Sequence, residues 1–465
     1  MRRFLLILFC TALFLSACSP TVILLDPALA VTPTLPAKPL PLPKAHTPVP
    51  SPTPGYDLGI APQDLKGVEV LVWHGWDGTS ASLLAQMAGE YNLTNKWKIR
   101  VLVESQLNLS LLNSAVKNVL GRPEQPDLVV ALPEHILAWQ PQVLELTPYE
   151  TQKVIGLEPG LIPAGFIDQS RQGEDQYGLP AARSARFIFY NASFAHDLGF
   201  EAAPRTTEEF RKQACAANAF WKQDDDQTND GFGGLVLDVI DAANWQTPFS
   251  WLAAGGGQVF SDGKYQFNTP ENINALGFLT QLRDADCAWL SDSDTNFEHL
   301  ATRRALFITG GLGDISAQTA AFSAIASPDK WTLLPFPGNQ AGIVPYGPDY
   351  AILKSTPERQ LAAWLFLRWL LEPQNQIRWS RGTGLLPVTQ PVLKMLATDF
   401  TLKPQWGAAL ELIPQSRIYP QTSTWSLVNK ILADGMLAYN RSYPNVPLEN
   451  ILKMMDGTIH DLVQK

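Results

Sequence analysis

Alternation of short apolar runs with helix-forming segments, between residues 67 and 135, is the feature that most constrains the fold. The apolar runs are GVEVLVWH (67–74), KIRVLVES (98–105) and PDLVVALP (126–133). The segments between them, ASLLAQMAGEYN and SLLNSAVKNVL, carry apolar residues at helical spacing. Strands that alternate with helices in this way form a parallel sheet covered by helices. The sequence therefore predicts an α/β fold.

Candidate binding residues follow two of these predicted strands. Ligands of open parallel sheets bind beyond the carboxyl ends of the strands. His74, Trp76 and Asp77 follow the first strand, and Glu134 and His135 follow the third. We expect these residues at a binding site. The alternative is core packing for Trp76, and a solvated loop for Glu134 and His135.

The second half of the chain predicts long helices and a second domain. A chain of 465 residues exceeds the size at which one hydrophobic core keeps growing, so two domains are expected. Thr206 and Glu209 form a capping-box pattern, and the pairs Thr269-Pro270 and Thr356-Pro357 are typical of helix starts. The runs LFITGG (306–311) and WTLLPF (331–336) predict strands, whereas Trp364 and Trp369 have helical spacing and are expected to pack in the core.

The first 63 residues predict export and a membrane tether. Two arginines precede an apolar run over 4–15 that is too short to span a bilayer, and the run ends in Leu-Ser-Ala-Cys18. This ending resembles a bacterial lipoprotein cleavage box, in which Cys18 becomes the lipidated first residue; a plain signal peptide with a chance cysteine is the alternative. Residues 19–63 hold 12 of the 37 prolines and favour extended polyproline II. We expect an extracytoplasmic protein anchored to the membrane by lipid.

The remaining cysteines and the charge restrict the chain further. Cleavage before Cys18 leaves Cys215 and Cys287, which we expect to form a disulfide in an oxidising compartment. No cysteine or histidine spacing fits a zinc site, and no cofactor or metal is expected. A net charge of −9 without a basic stripe argues against nucleic-acid binding.

Six motifs, in order over nearly all of residues 66–465, resemble the extracellular solute-binding proteins of sugar-type ABC importers, whose fold is that of maltose-binding protein. The motifs are VEVLVWHGWDG, PDLVVA, YGLPAARSARFIFYNASFAHDLGFEAAPRTTEEF, GGGQVFSDGKYQFNTPENINALGFL, RRALFITGG and PYGPDYAILKSTPERQLAAWLFLRWLLEPQNQIRWSRGTGLLPV. The resemblance implies two α/β lobes joined by several crossover segments, with the ligand in a cleft between them. It places lobe 1 at 64–181 plus 343–388 and lobe 2 at 182–342 plus 389–465.

The same resemblance implies further cleft residues. Arg183 and Ser184 lie where the chain first crosses between lobes, so they are expected at the cleft floor; a surface ion-pair cluster is the alternative for the arginines there. Trp245 and Gln246 match the wall of the second lobe, and Trp425 matches an aromatic position that stacks on sugar. The chain departs from some maltose-type relatives at 311–314, where Gly-Leu-Gly-Asp314 replaces an aromatic residue. We expect Asp314 to supply hydrogen bonds there.

One acidic loop raises the possibility of calcium binding. Asp226, Thr228 and Asp230 occupy the first, third and fifth positions of a calcium-loop pattern before Gly231, but Leu237 stands where the pattern needs glutamate. An acidic, solvated loop over 224–234 is the favoured interpretation.

The predicted function is the extracellular binding component of an ABC importer, which delivers a sugar or oligosaccharide to a permease. Sugars combine apolar C–H faces with hydroxyl groups, so their sites combine aromatic rings with polar side chains. We expect a monomer without enzymatic activity, since G-x-S-x-G, H-E-x-x-H and P-loop motifs are all missing. The alternatives are a binding protein for polyamine or another small solute, an exported lipoprotein hydrolase, and a sensor or adhesin domain.

Overall fold

The computed structural model describes residues 58–238, 244–291, 296–340, 342–396 and 404–463. The predicted signal segment, Cys18 and most of the 19–63 tether lie outside the described residues. Over the described residues, no helix has both the length and the apolarity needed to cross a membrane.

The first sheet contains the strands predicted from the opening alternation. Its order is β2-β1-β3-β14-β6, in which β1, β2 and β3 run parallel and β14 lies antiparallel to both of its neighbours. The parallel strands leave their carboxyl ends, and the loops that follow them, at one edge of the sheet. The strands of this sheet are β1 (Glu69–His74), β2 (Arg100–Ser105), β3 (Leu128–Ala131), β6 (Leu179–Pro180) and β14 (Asp349–Ile352).

The second sheet has the order β11-β8-β12-β7-β13. Its parallel strands β8, β11 and β12 end at the edge where the antiparallel strand β7 begins, so β7 starts next to their carboxyl ends. Every residue of β7 is buried, which accounts for its aromatic and apolar composition. The strands are β7 (Arg186–Asn191), β8 (Leu235–Asp238), β11 (Ala288–Ser291), β12 (Phe307–Gly311) and β13 (Trp331–Leu334). Two hairpins of two-residue strands complete the set: β4 (Arg171–Gln172) with β5 (Asp175–Gln176), and β9 (Phe260–Ser261) with β10 (Lys264–Tyr265).

The helices begin where the sequence predicts caps. Thr206 accepts a hydrogen bond from the Glu209 amide and Glu209 accepts one from the Thr206 amide, which confirms the capping box. Thr269 and Thr356 cap the helices that begin at the following prolines. The helices are α1 (Gly78–Thr94), α2 (Leu109–Val119), α3 (Pro133–Ala138), α4 (Thr147–Glu150), α5 (Ala164–Ile167), α6 (Ala192–Asp197), α7 (Thr207–Trp221), α8 (Gln246–Ala254), α9 (Pro270–Asp284), α10 (Phe297–Ala301), α11 (Ile315–Ala324), α12 (Pro357–Leu370), α13 (Pro373–Thr383), α14 (Gln390–Leu396), α15 (Pro404–Leu412), α16 (Trp425–Ser442) and α17 (Leu448–Leu462).

Helices cover both sheets and bury their apolar side chains. Helix α12 packs against β1 and β14, and its Trp364 is fully buried, as the sequence predicts. Trp369 is partly buried against the same core. Helices α16 and α17 pack on each other and on the helices of the second sheet. Cys215 of α7 and Cys287, just before β11, form the predicted disulfide.

Three chain segments run side by side where the chain passes between the sheets. The residues after β6 pair with the residues before β14, because Ser184 and Tyr346 exchange two backbone hydrogen bonds of 2.9 Å. The third segment follows α13, where the Leu386 amide donates to the Arg183 carbonyl. The backbone at Ser184 is therefore fixed by partners from distant parts of the sequence.

Candidate ligand-binding site

Arg183 lies at the centre of the crossing segments, and the structure buries it completely. Its Nη2 is 2.6 Å from the Asp349 carboxylate, and both residues have fully buried side chains. Its guanidinium nitrogens also donate to four backbone carbonyls, those of Phe166, Ala182, Gly347 and Pro348. We expected Arg183 at the cleft floor or in a surface cluster; instead, these buried partners engage it. Arg183 ties three parts of the chain together.

The carboxylate partner of Arg183 is held by further contacts. Ser170 donates its hydroxyl to Asp349. Burial raises the pKa of Asp349, while Arg183 and Ser170 oppose the rise by favouring the charged form. A buried charge pair of this kind is tolerated because each partner is matched and hydrogen-bonded. Ser184, next to Arg183, is 9% exposed and contributes its backbone to the crossing.

Trp76 and Asp77 follow β1 at the carboxyl edge of the first sheet. The Trp76 ring is half-buried and packs on Trp379 with 4.6 Å between ring centroids. His74 is buried and accepts a hydrogen bond from the Trp76 amide through Nδ1; burial lowers the pKa of His74. Asp77 is exposed and precedes α1 without a side-chain bond to that helix. Trp76 therefore has core contacts on one side, and Asp77 faces solvent.

Glu134 and His135 lie on the short helix α3, which packs against α16. Both side chains are buried, at 3% and 8% exposure. Burial, with a smaller contribution from nearby Asp349, raises the pKa of Glu134 to about 7. Within the described part of the chain, Glu134 Oε2 has no hydrogen-bond partner. A protonatable carboxyl group thus lies between the first sheet and the C-terminal helices.

His135 is also buried, but burial shifts its pKa in the opposite direction to that of Glu134. Burial and, to a smaller extent, the positive charges of Lys117 and Lys430 together lower its pKa to about 4. Its Nδ1 also has no hydrogen-bond partner among the described residues. The imidazole is therefore neutral at physiological pH and carries both a hydrogen-bond donor and an acceptor.

Trp245 and Trp425 belong to one aromatic cluster, whose other members are Phe249, Tyr265 and Tyr419. The Trp245 ring lies 5.0 Å from Tyr419 and 5.2 Å from Trp425, and Tyr265 stacks on Trp425 at 6.3 Å. We expected Trp425 to line the cleft; the structure instead buries it completely, because four rings from three chain segments surround it. Trp245 is half-buried, as is Gln246, the first residue of α8.

This cluster lies close to Glu134. Burial raises the pKa of Tyr419 far above its usual range, and the charge of Glu134 contributes to that shift. Glu134 also contributes to the raised pKa of Tyr265, for which burial is the main cause. Buried polar groups of α3 and a cluster of tryptophan and tyrosine rings thus come together. The sequence analysis missed Tyr265, Tyr346 and Tyr419, although Tyr346 and Tyr419 belong to the polar, proline-containing runs VPYGP and IYPQ.

Asp314 and Arg186 lie together at the edge of the second sheet. Arg186 begins β7 and pairs in register with Gly311, the last residue of β12. Asp314 accepts a 2.8 Å hydrogen bond from the Gly311 amide and lies 3.5 Å from the Arg186 guanidinium. Arg186, which the sequence analysis did not select, is therefore the arginine associated with this edge.

The acidic loop over 224–230 uses its carboxylates internally. Asp226 accepts from the amide and hydroxyl of Thr228, and Asp224 accepts from the Asn229 side chain. Hydrogen bonds from Thr228 lower the pKa of Asp226. Among the described residues, no group of three or more His, Cys, Asp or Glu side chains has an arrangement that could hold a metal ion.

Two cavities lie apart from the predicted site residues. One of about 530 Å³ is bordered by Phe166, Leu393 and Ile413. The other, of about 840 Å³, is bordered by Glu150 and Arg171. Burial raises the pKa of Glu150 to about 7. Neither cavity includes a residue that the sequence predicts to bind ligand, so volume alone does not identify the site.

Solved structures with the same fold come from several bacteria. The sugar-binding protein MalE of Xanthomonas citri matches with a TM-score of 0.73 at 16% identity, over 85% of this chain and 97% of that one. UgpB of Mycobacterium tuberculosis, in complex with glycerophosphocholine, matches with a TM-score of 0.69 at 16% identity, over 85% and 98%. The cyclic alpha-maltosyl-1,6-maltose binding protein of Arthrobacter globiformis matches with a TM-score of 0.67 at 18% identity, over 85% and 98%.

These similarities confirm the predicted two-lobe α/β fold of the periplasmic binding proteins. Residues 86–408, which make up more than half of the chain, match the family model described as bacterial extracellular solute-binding protein. This family consists of extracytoplasmic binding proteins. The chain belongs to the bacterial extracellular solute-binding proteins.

Proposed function

We propose that the protein binds a sugar or oligosaccharide between its two lobes and delivers it to an ABC permease without chemical change. The proposal depends on one observation, which is that α3 and the aromatic cluster lie next to each other. Glu134 and His135 present buried polar atoms without hydrogen-bond partners in the described residues, next to tyrosine and tryptophan rings. Rings that stack on C–H faces and polar groups that bond hydroxyls are what a sugar needs.

The lobes would follow the distribution of the strands. We propose lobe 1 over 64–181 plus 343–388 and lobe 2 over 182–342 plus 389–465. In support, the strands of the second sheet all fall between residues 186 and 334, whereas those of the first sheet fall before 181 and after 348. The crossing segments at Arg183, Tyr346 and Leu386 would act as the hinge.

We propose two groups of ligand-binding residues. Trp76, Asp77, Glu134 and His135 would contact ligand from lobe 1, and Trp245, Gln246 and Asp314 from lobe 2. Ser184 would lie at the floor. Arg183 and Trp425 would act indirectly, since the first holds the crossing segments and the second supports the Trp245 ring.

A ligand screen on the full chain tests the function. Maltose, maltotriose, acarbose, glycerophosphocholine and spermidine would each be added while the melting temperature and tryptophan fluorescence are measured. A bound sugar should raise the melting temperature, because a ligand that binds only the folded state stabilises it by mass action. Stabilisation by spermidine without any response to sugars would overturn the proposal in favour of a polyamine binder.

The same samples separate binding from catalysis. Maltotriose incubated with the protein should be recovered intact by chromatography. Release of shorter sugars would instead make the protein an exported hydrolase.

We also propose that the protein is a monomer anchored through lipid on Cys18. Mass spectrometry of the membrane fraction should find an acylated N-terminal peptide, and Cys18→Ser should release the protein or leave its precursor uncleaved. Wild-type protein in the medium without an acyl chain would contradict the anchor.

A further inference from the structure

The backbone of Trp76 is held by hydrogen bonds to two strands of the first sheet. The Trp76 amide donates to His74 Nδ1 at 3.1 Å, and the Trp76 carbonyl accepts from the Ser105 hydroxyl at 2.6 Å. His74 is the last residue of β1, and Ser105 is the last residue of β2. These two residues are opposite each other in the paired strands, so the Trp76 backbone is fixed to the end of the sheet.

The residue before Trp76 packs closely against the start of α2. A Cβ atom placed on Gly75 would lie 2.7 Å from the Asn108 carbonyl carbon and 2.7 Å from the Leu109 amide nitrogen. Contacts this short leave no space for a side chain, which accounts for glycine at residue 75. The backbone that leads into Trp76 is therefore confined by a neighbouring loop as well as by hydrogen bonds.

The ring of Trp76 packs on a second tryptophan. Trp379 of α13 has its ring centroid 4.6 Å from that of Trp76, and the two ring planes are inclined by 45°. Trp379 is 3% exposed, whereas Trp76 is half-buried. Helix α13 also packs against α1, the helix that follows Trp76. A buried ring thus supports a ring that keeps part of its surface accessible.

The contribution of Trp379 comes from its ring and not from its polar atom. The indole nitrogen of Trp379 is buried and has no hydrogen-bond partner within the described part of the chain. Phenylalanine can therefore replace Trp379 without breaking a hydrogen bond there, while leucine removes the aromatic ring. Pairs of aromatic rings at this distance attract each other beyond the area they bury.

We propose that Trp379 is a positioning residue that holds the Trp76 ring in one orientation. The accessible part of the Trp76 ring then forms a preformed surface for the C–H face of a sugar. With the Trp76 backbone fixed, rotation of the side chain is what would move the ring, and Trp379 blocks that rotation. A side chain that is ordered before the ligand arrives loses less entropy on binding. This inference rests on the proposed function, and it adds a residue that prepares the ligand surface of lobe 1.

The test is a double-mutant cycle of maltose affinity in the full chain, measured by calorimetry on wild type, Trp379→Leu, Trp76→Ala and the double variant. Trp379→Leu should weaken maltose binding by about twofold to tenfold, the usual cost of immobilising one side chain on binding. Because Trp379 acts through Trp76, Trp379→Leu should have no further effect once residue 76 is alanine. Equal effects of Trp379→Leu in both backgrounds would overturn the proposal.

Two further variants distinguish positioning from a general loss of structure. Trp379→Phe keeps a ring next to Trp76 and should restore maltose affinity to within about twofold of wild type. Trp331→Leu is the matched control, since Trp331 is also buried and packs on the rings of Phe189 and Phe322. It should lower the melting temperature but leave maltose affinity unchanged below that temperature. Failure of phenylalanine to restore affinity, or an equal loss of affinity in Trp331→Leu, would overturn the proposal.

The outcomes separate this inference from the proposed function. Maltose binding that is unchanged in Trp76→Ala would overturn the positioning role and leave the sugar-binding function intact. If no sugar binds the wild type, the proposed function fails, and circular dichroism still tests the ring pair without ligand. Trp379→Leu and Trp76→Ala should each remove the same exciton signal, which arises from coupling between the two indole rings. Loss of one shared signal supports the held orientation of Trp76, and the absence of a shared signal overturns it.

Discussion

Arg183 and Arg186 lie three residues apart in the sequence, and both are buried, but the carboxylates that they pair with differ in exposure. Arg183 is fully buried, and its carboxylate partner Asp349 is buried with it. Arg186 pairs at a longer distance with Asp314, which is 39% exposed. The comparison shows that charge near a predicted crossing does not itself mark a ligand contact, because the burial of the partner carboxylate makes Arg183 a structural residue.

The largest expected effect is on Arg183, the member of the comparison whose partner carboxylate is buried. Arg183→Met leaves Asp349 charged and buried without its partner, which typically destabilises a protein by about 3–5 kcal/mol. Urea denaturation measures the loss. Arg100→Gln is the control and should cost less than about 1 kcal/mol, since Arg100 and its partner Glu69 are both exposed to solvent. Equal losses in the two variants would erase the distinction drawn here.

A second variant tests whether the Arg183 effect comes from the unpaired carboxylate. Adding Asp349→Leu to Arg183→Met removes both charges, and apolar replacement of a buried pair is often close to neutral. The double variant should therefore be more stable than Arg183→Met alone. A further loss of stability would mean that the carbonyl contacts of Arg183 matter more than its charge.

Trp425 extends the comparison to the aromatic residues. The resemblance implies that Trp425 stacks on a sugar, and for such a residue Trp425→Ala would weaken ligand binding and leave folding largely intact. Because Trp425 is fully buried among Trp245, Phe249, Tyr265 and Tyr419, we now expect a loss of about 3–5 kcal/mol in unfolding free energy. The half-buried Trp76 is the control, and Trp76→Ala should cost less. Native-like stability of Trp425→Ala would restore the original expectation.

The pH dependence of stability tests the buried carboxyl group of α3. The pKa of Glu134 is raised from 4.5 to about 7 in the folded protein, chiefly by burial. The folded state therefore holds this proton more tightly than the unfolded state. The contribution of Glu134 to the free energy of unfolding is complete below about pH 4.5 and is lost as the pH rises through 7. The free energy of unfolding should therefore fall by roughly 2–3 kcal/mol over this range.

Glu134→Gln should reduce this decline, because glutamine does not titrate. The remaining pH dependence combines Glu150, whose pKa is raised to about 7 and which adds to the decline, with His135, whose pKa is lowered to about 4 and which opposes it, so Glu134→Gln is judged by its difference from wild type. Urea denaturation of both proteins at pH 5 and pH 8 measures this difference. Glu69→Gln, which removes an exposed carboxylate, is the control and should keep the wild-type decline. A Glu134→Gln variant with an undiminished decline would mean that Glu134 is hydrated in solution.

More of the fold than of the candidate site could be predicted from the sequence. The alternation of strands with helices and the Thr206–Glu209 cap are local patterns, so residues close together in the sequence are sufficient to predict them. The burial of Arg183 depends on Asp349, which lies far along the chain, and no local pattern records that contact. Trp425 is similar, because three of the rings around it, those of Trp245, Phe249 and Tyr265, come from distant segments.

The smallest expected effect on stability is at Asp77, the exposed counterpart of these buried groups. Asp77 precedes α1 at the capping position, but its side chain makes no hydrogen bond to the helix. Asp77→Ala should therefore change the unfolding free energy by less than about 0.5 kcal/mol. Asn108 is the matched control, since it caps α2 by accepting from the amides of Ser110 and Leu111, and Asn108→Ala should cost about 1 kcal/mol.

Ligand binding then decides what Asp77 does. With stability unchanged, a smaller maltose-induced rise in melting temperature for Asp77→Ala than for wild type would assign Asp77 to the ligand, because nothing in the fold depends on it. A destabilisation equal to that of Asn108→Ala would instead make Asp77 a helix cap in solution. An unchanged response to maltose, with unchanged stability, would leave Asp77 a solvated surface residue and restrict the lobe 1 contacts to Trp76 and the residues of α3.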